Sequence, residues 1–163
     1  MNTFYEIVLE ERHDYVSFYS LLKEDEEDTI TQQFFDEYAE QPEWIESVDI
    51  LVQCMDEIGD RGAARRYFRF EDAAEAIPSR QLLNLVVRTS RYDLRLYCIR
   101  VSDEIVILLN GGVKTSQRVQ DSPDLIGKFR FANRVSTEII KKITDRDLII
   151  RGNELEGDLT LYL

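Results

Sequence analysis

The sequence predicts an α+β domain: a mainly antiparallel twisted sheet, an N-terminal helical hairpin, and a C-terminal helix packed on the sheet. Three observations predict it. Residues 29–58 carry apolar side chains at helical spacing. Residues 82–110 hold three apolar runs separated by short polar breaks. Ser122-Pro123-Asp124 opens a long amphipathic stretch with Ser as cap and Pro in the first turn. A chain of 163 residues is enough for one domain with its own core, so residues 1–163 are expected to fold as a unit.

Phe4 to Leu9 is aromatic and β-branched and reads as a strand. Tyr15 to Leu22 alternates apolar residues and fits a second strand or a short helix. Lys23 to Asp28 is a charged loop whose carboxylates suit the N-terminus of the next helix. In that helix Ile30, Phe34 and Tyr38 recur every four residues; Gln41-Pro42 breaks it. Trp44, Val48, Leu51, Met55 and Ile58 then mark a second helix, ended by Gly59 with help from Gly62. Arg61 to Arg69 reads as a basic connection. Leu82 to Arg88, Asp93 to Val101 and Ile105 to Asn110 read as antiparallel neighbours, because the breaks between them are short. Their faces are largely apolar, as for the centre of a sheet covered on one side by helices. Leu125, Phe129, Ala132, Val135, Ile139 and Ile143 line one face of the last helix, and Gly127 there suggests close packing. Leu148 to Arg151 and Leu159 to Leu163 are short strand candidates.

Composition narrows the function classes. No apolar run approaches the roughly 20 residues a membrane span needs, and the N-terminus lacks signal-peptide character. The expected location is cytoplasmic, with no membrane partner. Cys54 and Cys98 lie in separate apolar segments and read as core residues. His13 has no Cys or His partner at ligand spacing, so no metal and no cofactor are expected. The net charge of −12 is unevenly spread. Residues 1–60 hold 2 basic and 18 acidic side chains, a net of −16, while residues 61–163 hold 18 basic and 14 acidic, a net of +4. Affinity for phosphate depends on a local basic face and not on the total.

The stretch Asn110-Gly111-Gly112-Val113-Lys114-Thr115 follows an apolar run, as a phosphate loop would. It is not a nucleotide-triphosphate loop. Val113 precedes Lys114 where the motif demands Gly, Leu108 occupies the first glycine position, and the next helix starts near Pro123. What remains is a strand ending in a glycine turn that presents Lys114. On the antiparallel pairing, Arg88, Arg91, Arg95, Lys114 and Arg118 converge. Cations held on a rigid sheet suit a phosphodiester and the charge that develops on it during transfer. The competing reading pairs these cations with the acidic first half of the chain, and Asp93, Asp103 and Glu104 are also close in sequence.

Arg95-Leu96-Tyr97, the apolar strand Ile105 to Leu109, the glycine turn Gly111 to Thr115 and the Pro-started helix Pro123 to Arg134 follow one another in an order that resembles the RelE/ParE toxin superfamily, nearest its HigB-like, phage Gp49-related branch. The resemblance implies a RelE-like fold. It also implies the toxin of a bacterial type II toxin–antitoxin system: a ribosome-dependent mRNA endonuclease in which the 2′-hydroxyl attacks the adjacent phosphodiester. Carried over, Lys114 is a phosphate clamp or base, Arg88 and Arg95 stabilise the phosphate, and Tyr162 is a tail acid. Arg91, Arg118, Lys128, Arg130 and Arg134 extend the nucleic-acid surface. The implied partners are an antitoxin, of helix-turn-helix type, and mRNA on the ribosome. Val113 stands where the family has a second lysine, and the chain is acidic where family members are basic. The alternative is therefore a non-catalytic binding or regulatory protein with a toxin-like fold.

Overall fold

The computed structural model describes residues 2–114 and 123–163. The chain begins with a hairpin, β1 (Phe4–Arg12) and β2 (Ser17–Lys23), which settles the open choice at Tyr15 to Leu22 as a strand. Two helices follow, α1 (Ile30–Ala39) and α2 (Ile45–Arg61), joined by a single 3-10 turn at Pro42–Trp44. Then come β3 (Arg69–Glu71), β4 (Ala74–Ile77), α3 (Arg80–Val86), β5 (Leu94–Arg100) and β6 (Ile105–Val113). The chain closes with α4 (Pro123–Thr144), a small hairpin of β7 (Leu148–Arg151) and β8 (Glu154–Gly157), and β9 (Thr160–Tyr162).

Seven strands form one sheet in the order β3-β4-β5-β6-β2-β1-β9, and β7 and β8 form a second sheet of two. The large sheet is mixed. β2 runs parallel to β6, pairing Ser17 with Ile105 and Tyr19 with Ile107, while the other pairs are antiparallel. This corrects the expected antiparallel RelE-like sheet. A parallel pair needs a long crossover, and the stretch from α1 to β5 supplies it. The three-strand meander is also corrected. Leu82 to Arg88 is not a strand: Ser79 Oγ accepts from the Leu82 amide at 3.1 Å and starts α3, which buries Leu82 and Leu83 and exposes Leu85. The real neighbours of β5 are β6 and β4. Three- and four-residue strands such as β3 and β4 are too short to show a period in the sequence.

Both faces of the sheet are covered, where one was expected. On one face Tyr97, Ile99, Ile105, Ile107 and Leu109 pack under Leu125, Ala132, Val135 and Ile139 of α4, with Leu148 and Leu155 of the small hairpin alongside. On the other, Phe18, Leu94, Leu96, Cys98, Val106 and Leu108 pack under α1, α2 and α3. Cys54 and Cys98 are free and buried. Gly127, expected to allow close packing, has nothing within 4 Å of where a Cβ would stand.

Local chemistry fixes several joints. The cap of α1 is Thr29, not the acidic loop before it: its hydroxyl accepts from the Gln32 amide at 3.1 Å and donates to Glu10 at 3.0 Å. Beyond Tyr19, β2 leaves β6, and Thr31 fills the fork. Its hydroxyl donates to the Leu109 carbonyl at 2.9 Å, so the buried Ser20 hydroxyl, 2.7 Å away, donates to Thr31. α2 continues through Gly59 and stops at Gly62, whose φ of 111° a side chain would resist. The glycines at 111 and 112 do not end β6 as expected. They lie inside it, just past the point between Leu108 and Gly111 where the pairing with β5 slips by one residue, and a Cβ at Gly111 would stand 1.9 Å from the Arg95 carbonyl oxygen. No helix among the described residues is long and apolar enough to cross a membrane.

Candidate functional site

The site forms where β3, β5 and β6 present alternate residues to the α4 side of the sheet. Arg69 is paired with Ala76, and Glu71 with Ala74; both alanines are buried in the α4-side core. Side chains alternate along a strand, so Arg69 and Glu71 share that face while Phe70, 87% exposed, points the other way. Arg95 stands on β5 opposite Gly112. Lys114 leaves the end of β6, its amide donating to the Asp93 carbonyl at 2.9 Å.

Glu71 is the hub. Its Oε1 accepts from Arg95 Nη1 at 3.1 Å and lies 3.8 Å from Arg69 Nε. The Arg95 and Glu71 side chains are only 8% and 9% exposed, so this ion pair is desolvated and hydrogen-bonded. Lys114 feels the same group. Burial, then the charges of Arg95 and Arg69, lower its ammonium pKa, and Glu71 offsets part of that. Arg69 is lowered by burial, then Arg95, with Arg80 adding further repulsion. Tyr97, on the same face of β5, has its phenol pushed up to about 12 by burial first and Glu71 second. Arg80 donates to the carbonyls of Thr89 at 3.0 Å and Ser90 at 3.4 Å, holding the segment before β5. A cavity of about 20 Å³ lined by Arg69, Ser79, Arg80, Tyr92 and Arg95 is no larger than a water needs. A phosphodiester would therefore meet the outer side of the cluster, at Lys114 and Arg69. Among the described residues Arg69, Arg95 and Lys114 gather around the carboxylate of Glu71, an arrangement that favours a bound anion.

The structure brings together only some of the residues expected to converge. Lys114 and Arg95 share the cluster. Lys128 lies close on α4, its Nζ donating to the Gly111 carbonyl at 2.6 Å. Arg88 is exposed in the segment after α3, because the strand it was to end is a helix. Arg91 is exposed and donates from Nε to Asp93 at 2.8 Å. Arg130 and Arg134 are exposed on α4; Arg134 acts on Tyr5 of β1, on the other side of the sheet from β3. Tyr162 stands on β9, at the far edge, with its ring on Phe4 at 5.3 Å. Four strand spacings separate β9 from β5, roughly 19 Å, so Tyr162 takes no part in the cluster. Arg118 lies outside the described residues.

Arg69, Glu71 and Arg80 were not anticipated. The only sequence signal was Arg-x-Glu in a strand of three residues, which puts opposite charges on one face. One group with metal-ligand spacing occurs among the described residues: Glu11, His13 and Asp56, at the opposite end of the sheet. No family model, no curated protein and no solved structure matches the chain.

Proposed function

We propose that the domain acts on RNA as a metal-independent endoribonuclease of the toxin type, with the Glu71 cluster as its centre. One observation carries the reading: the buried carboxylate of Glu71 lies among Arg69, Arg95 and Lys114. That is the inventory 2′-hydroxyl attack requires. Glu71 takes the 2′ proton, and the 2′ oxygen forms a bond to phosphorus. Arg69 stabilises the charge on the non-bridging oxygens, with the buried charge of Arg95 behind it. The bond to the 5′ oxygen breaks, and that oxygen takes a proton from Lys114, whose lowered pKa makes it a better acid. The products are a 2′,3′-cyclic phosphate and a 5′-hydroxyl. The reading extends to mRNA on the ribosome as substrate and a helix-turn-helix antitoxin as partner.

A second reading is favoured by a specific contact. The Arg95–Glu71 pair occupies the proposed base, and breaking a desolvated pair is costly. On that reading Lys114 and Arg69 hold a phosphate backbone without cutting it, as a binding or regulatory module would. Incubating the purified chain with an end-labelled RNA separates the two. A nuclease yields cyclic-phosphate ends, loses cleavage in Glu71→Gln and keeps binding. A binding module retains RNA without cleaving it and loses retention in Lys114→Ala. Neither cleavage nor retention at low salt would sink both. In cells, the toxin reading expects growth arrest on expression, relieved by Lys114→Ala.

A further inference from the structure

At the end of the sheet away from Lys114, the β1–β2 turn is fastened to the last turn of α2. The amides of Tyr15 and Val16 both donate to the Gly59 carbonyl, at 3.0 and 3.3 Å. His13 lies in this turn with its ring edge-on to Phe18 at 5.3 Å and its Cβ, Cγ and Nδ1 close to Gly59. A Cβ at Gly59 would stand 2.3 Å from the His13 Cγ, so the glycine makes room for the imidazole. Packing thus fixes the ring, and its side chain is only 11% exposed.

The polar atoms around that ring are unusual. His13 Nε2 is buried and makes no hydrogen bond among the described residues, although Glu11 Oε1 is 2.9 Å away. Two donor atoms that close, yet not aligned on each other, are disposed like neighbours in a coordination sphere. One ligand atom each from Glu11, His13 and Asp56 lies within 4.8 Å of the other two. Asp60 lies on the opposite side of the ring, its Oδ1 3.7 Å from Nδ1. That is the side on which a metal-bound imidazole carries its proton, although 3.7 Å is longer than a hydrogen bond. Nearby cations are engaged elsewhere: Arg12 with Glu154 at 3.6 Å and Arg61 with Glu57 at 3.1 Å. Three carboxylates therefore face one imidazole without a compensating charge from these arginines.

We propose that Glu11, His13 and Asp56 bind one divalent transition cation of the Mn2+ or Zn2+ class. Mixed imidazole and carboxylate ligands suit these ions better than Ca2+ or Mg2+, which prefer oxygen alone. The ion would clip the β1–β2 turn to α2 and offset part of the acidic charge of residues 1–60. Its site is on a different end of the sheet from Glu71 and stands whether or not RNA is the substrate.

The test is calorimetric titration of the chelator-stripped full chain with MnCl2 and, separately, ZnCl2. The expected result is one saturable equivalent for at least one of the two metals. Affinity should fall on the order of tenfold or more in His13→Gln and in Asp56→Asn, with Asp14→Asn, a change at a nearby exposed carboxylate, unaltered. Circular dichroism establishes that each variant is folded. Should His13→Gln unfold, Asp56→Asn on the exposed side of α2 decides alone. No saturable binding of either metal at micromolar to millimolar concentration, or equal affinity in wild type and Asp56→Asn, overturns the proposal and leaves His13 as an ion-paired packing residue.

Discussion

Two charged clusters at opposite ends of one sheet are near mirror images. At one end Arg69, Arg95 and Lys114 surround the carboxylate of Glu71; at the other, Glu11, Asp56 and Asp60 surround the imidazole of His13. The nine residues of β6 span roughly 26 Å between the two ends. The clusters differ in solvent. Glu71 and Arg95 are both buried, so each is the other's compensation for lost water. The Glu11 and Asp60 side chains are 52% and 62% exposed, so water and salt screen their mutual repulsion. Similar surpluses of charge thus have unlike consequences. The buried cluster is held together by a pair the fold cannot lose, and the exposed one by the packing of a ring.

Removing a hub should show this most strongly. Glu71→Ala strands a buried guanidinium and is expected to cost about 3–5 kcal/mol in urea unfolding. Arg95→Ala should cost less, because Arg69 and Lys114 remain near Glu71. Equal losses would mean that the two cations contribute nothing to holding the carboxylate.

At the other end the comparable disruption is steric. Gly59→Ala drives a methyl group into the His13 ring and should cost about 1–3 kcal/mol. A neutral result would show that the ring moves aside freely and that the acidic cluster is not preorganised.

Glu75 sharpens the contrast from the opposite face of the same hairpin. It is desolvated, and burial raises its pKa to about 6, only partly opposed by the Arg100 amide at 3.4 Å and by the charges of Arg100 and Arg65. The folded state therefore binds this proton more tightly than the unfolded chain. Stability should be greatest below about pH 4.5 as far as this group is concerned, fall as pH rises through 6, and stay reduced above it. The difference is at most about 2 kcal/mol. Glu75→Gln should flatten that part of the stability-versus-pH curve. A curve unchanged by the substitution would place the carboxylate in water.

The smallest effect is expected at Asp60. Asp60→Asn removes one exposed charge from the acidic end and should change metal-free stability by less than about 0.5 kcal/mol. A larger loss would mean that His13 is held by that carboxylate and not by packing.

Much of the architecture was legible in the residues. Ile30, Phe34 and Tyr38, then Val48, Leu51, Met55 and Ile58, marked α1 and α2, and the Pro-started face of α4 was equally clear. β1, β5 and β6 announced themselves by long apolar runs. Leu82 to Arg88 misled because a short apolar run suits a buried helix as well as a strand, and the Ser79 cap decides between them. Of the candidate site, Lys114 and Arg95 were legible as cations near strand ends; Glu71, which organises them, was not, since its strand has three residues.

By itself the sequence determined the periodic elements and the split in charge between residues 1–60 and 61–163, because both are local properties of the chain. Only the tertiary structure decided that β2 lies parallel to β6, that Arg69 and Glu71 meet Arg95 from a strand 24 residues away, and that Gly59 admits His13. Strand partners and buried ion pairs are chosen by long-range packing and desolvation, which no window of adjacent residues contains.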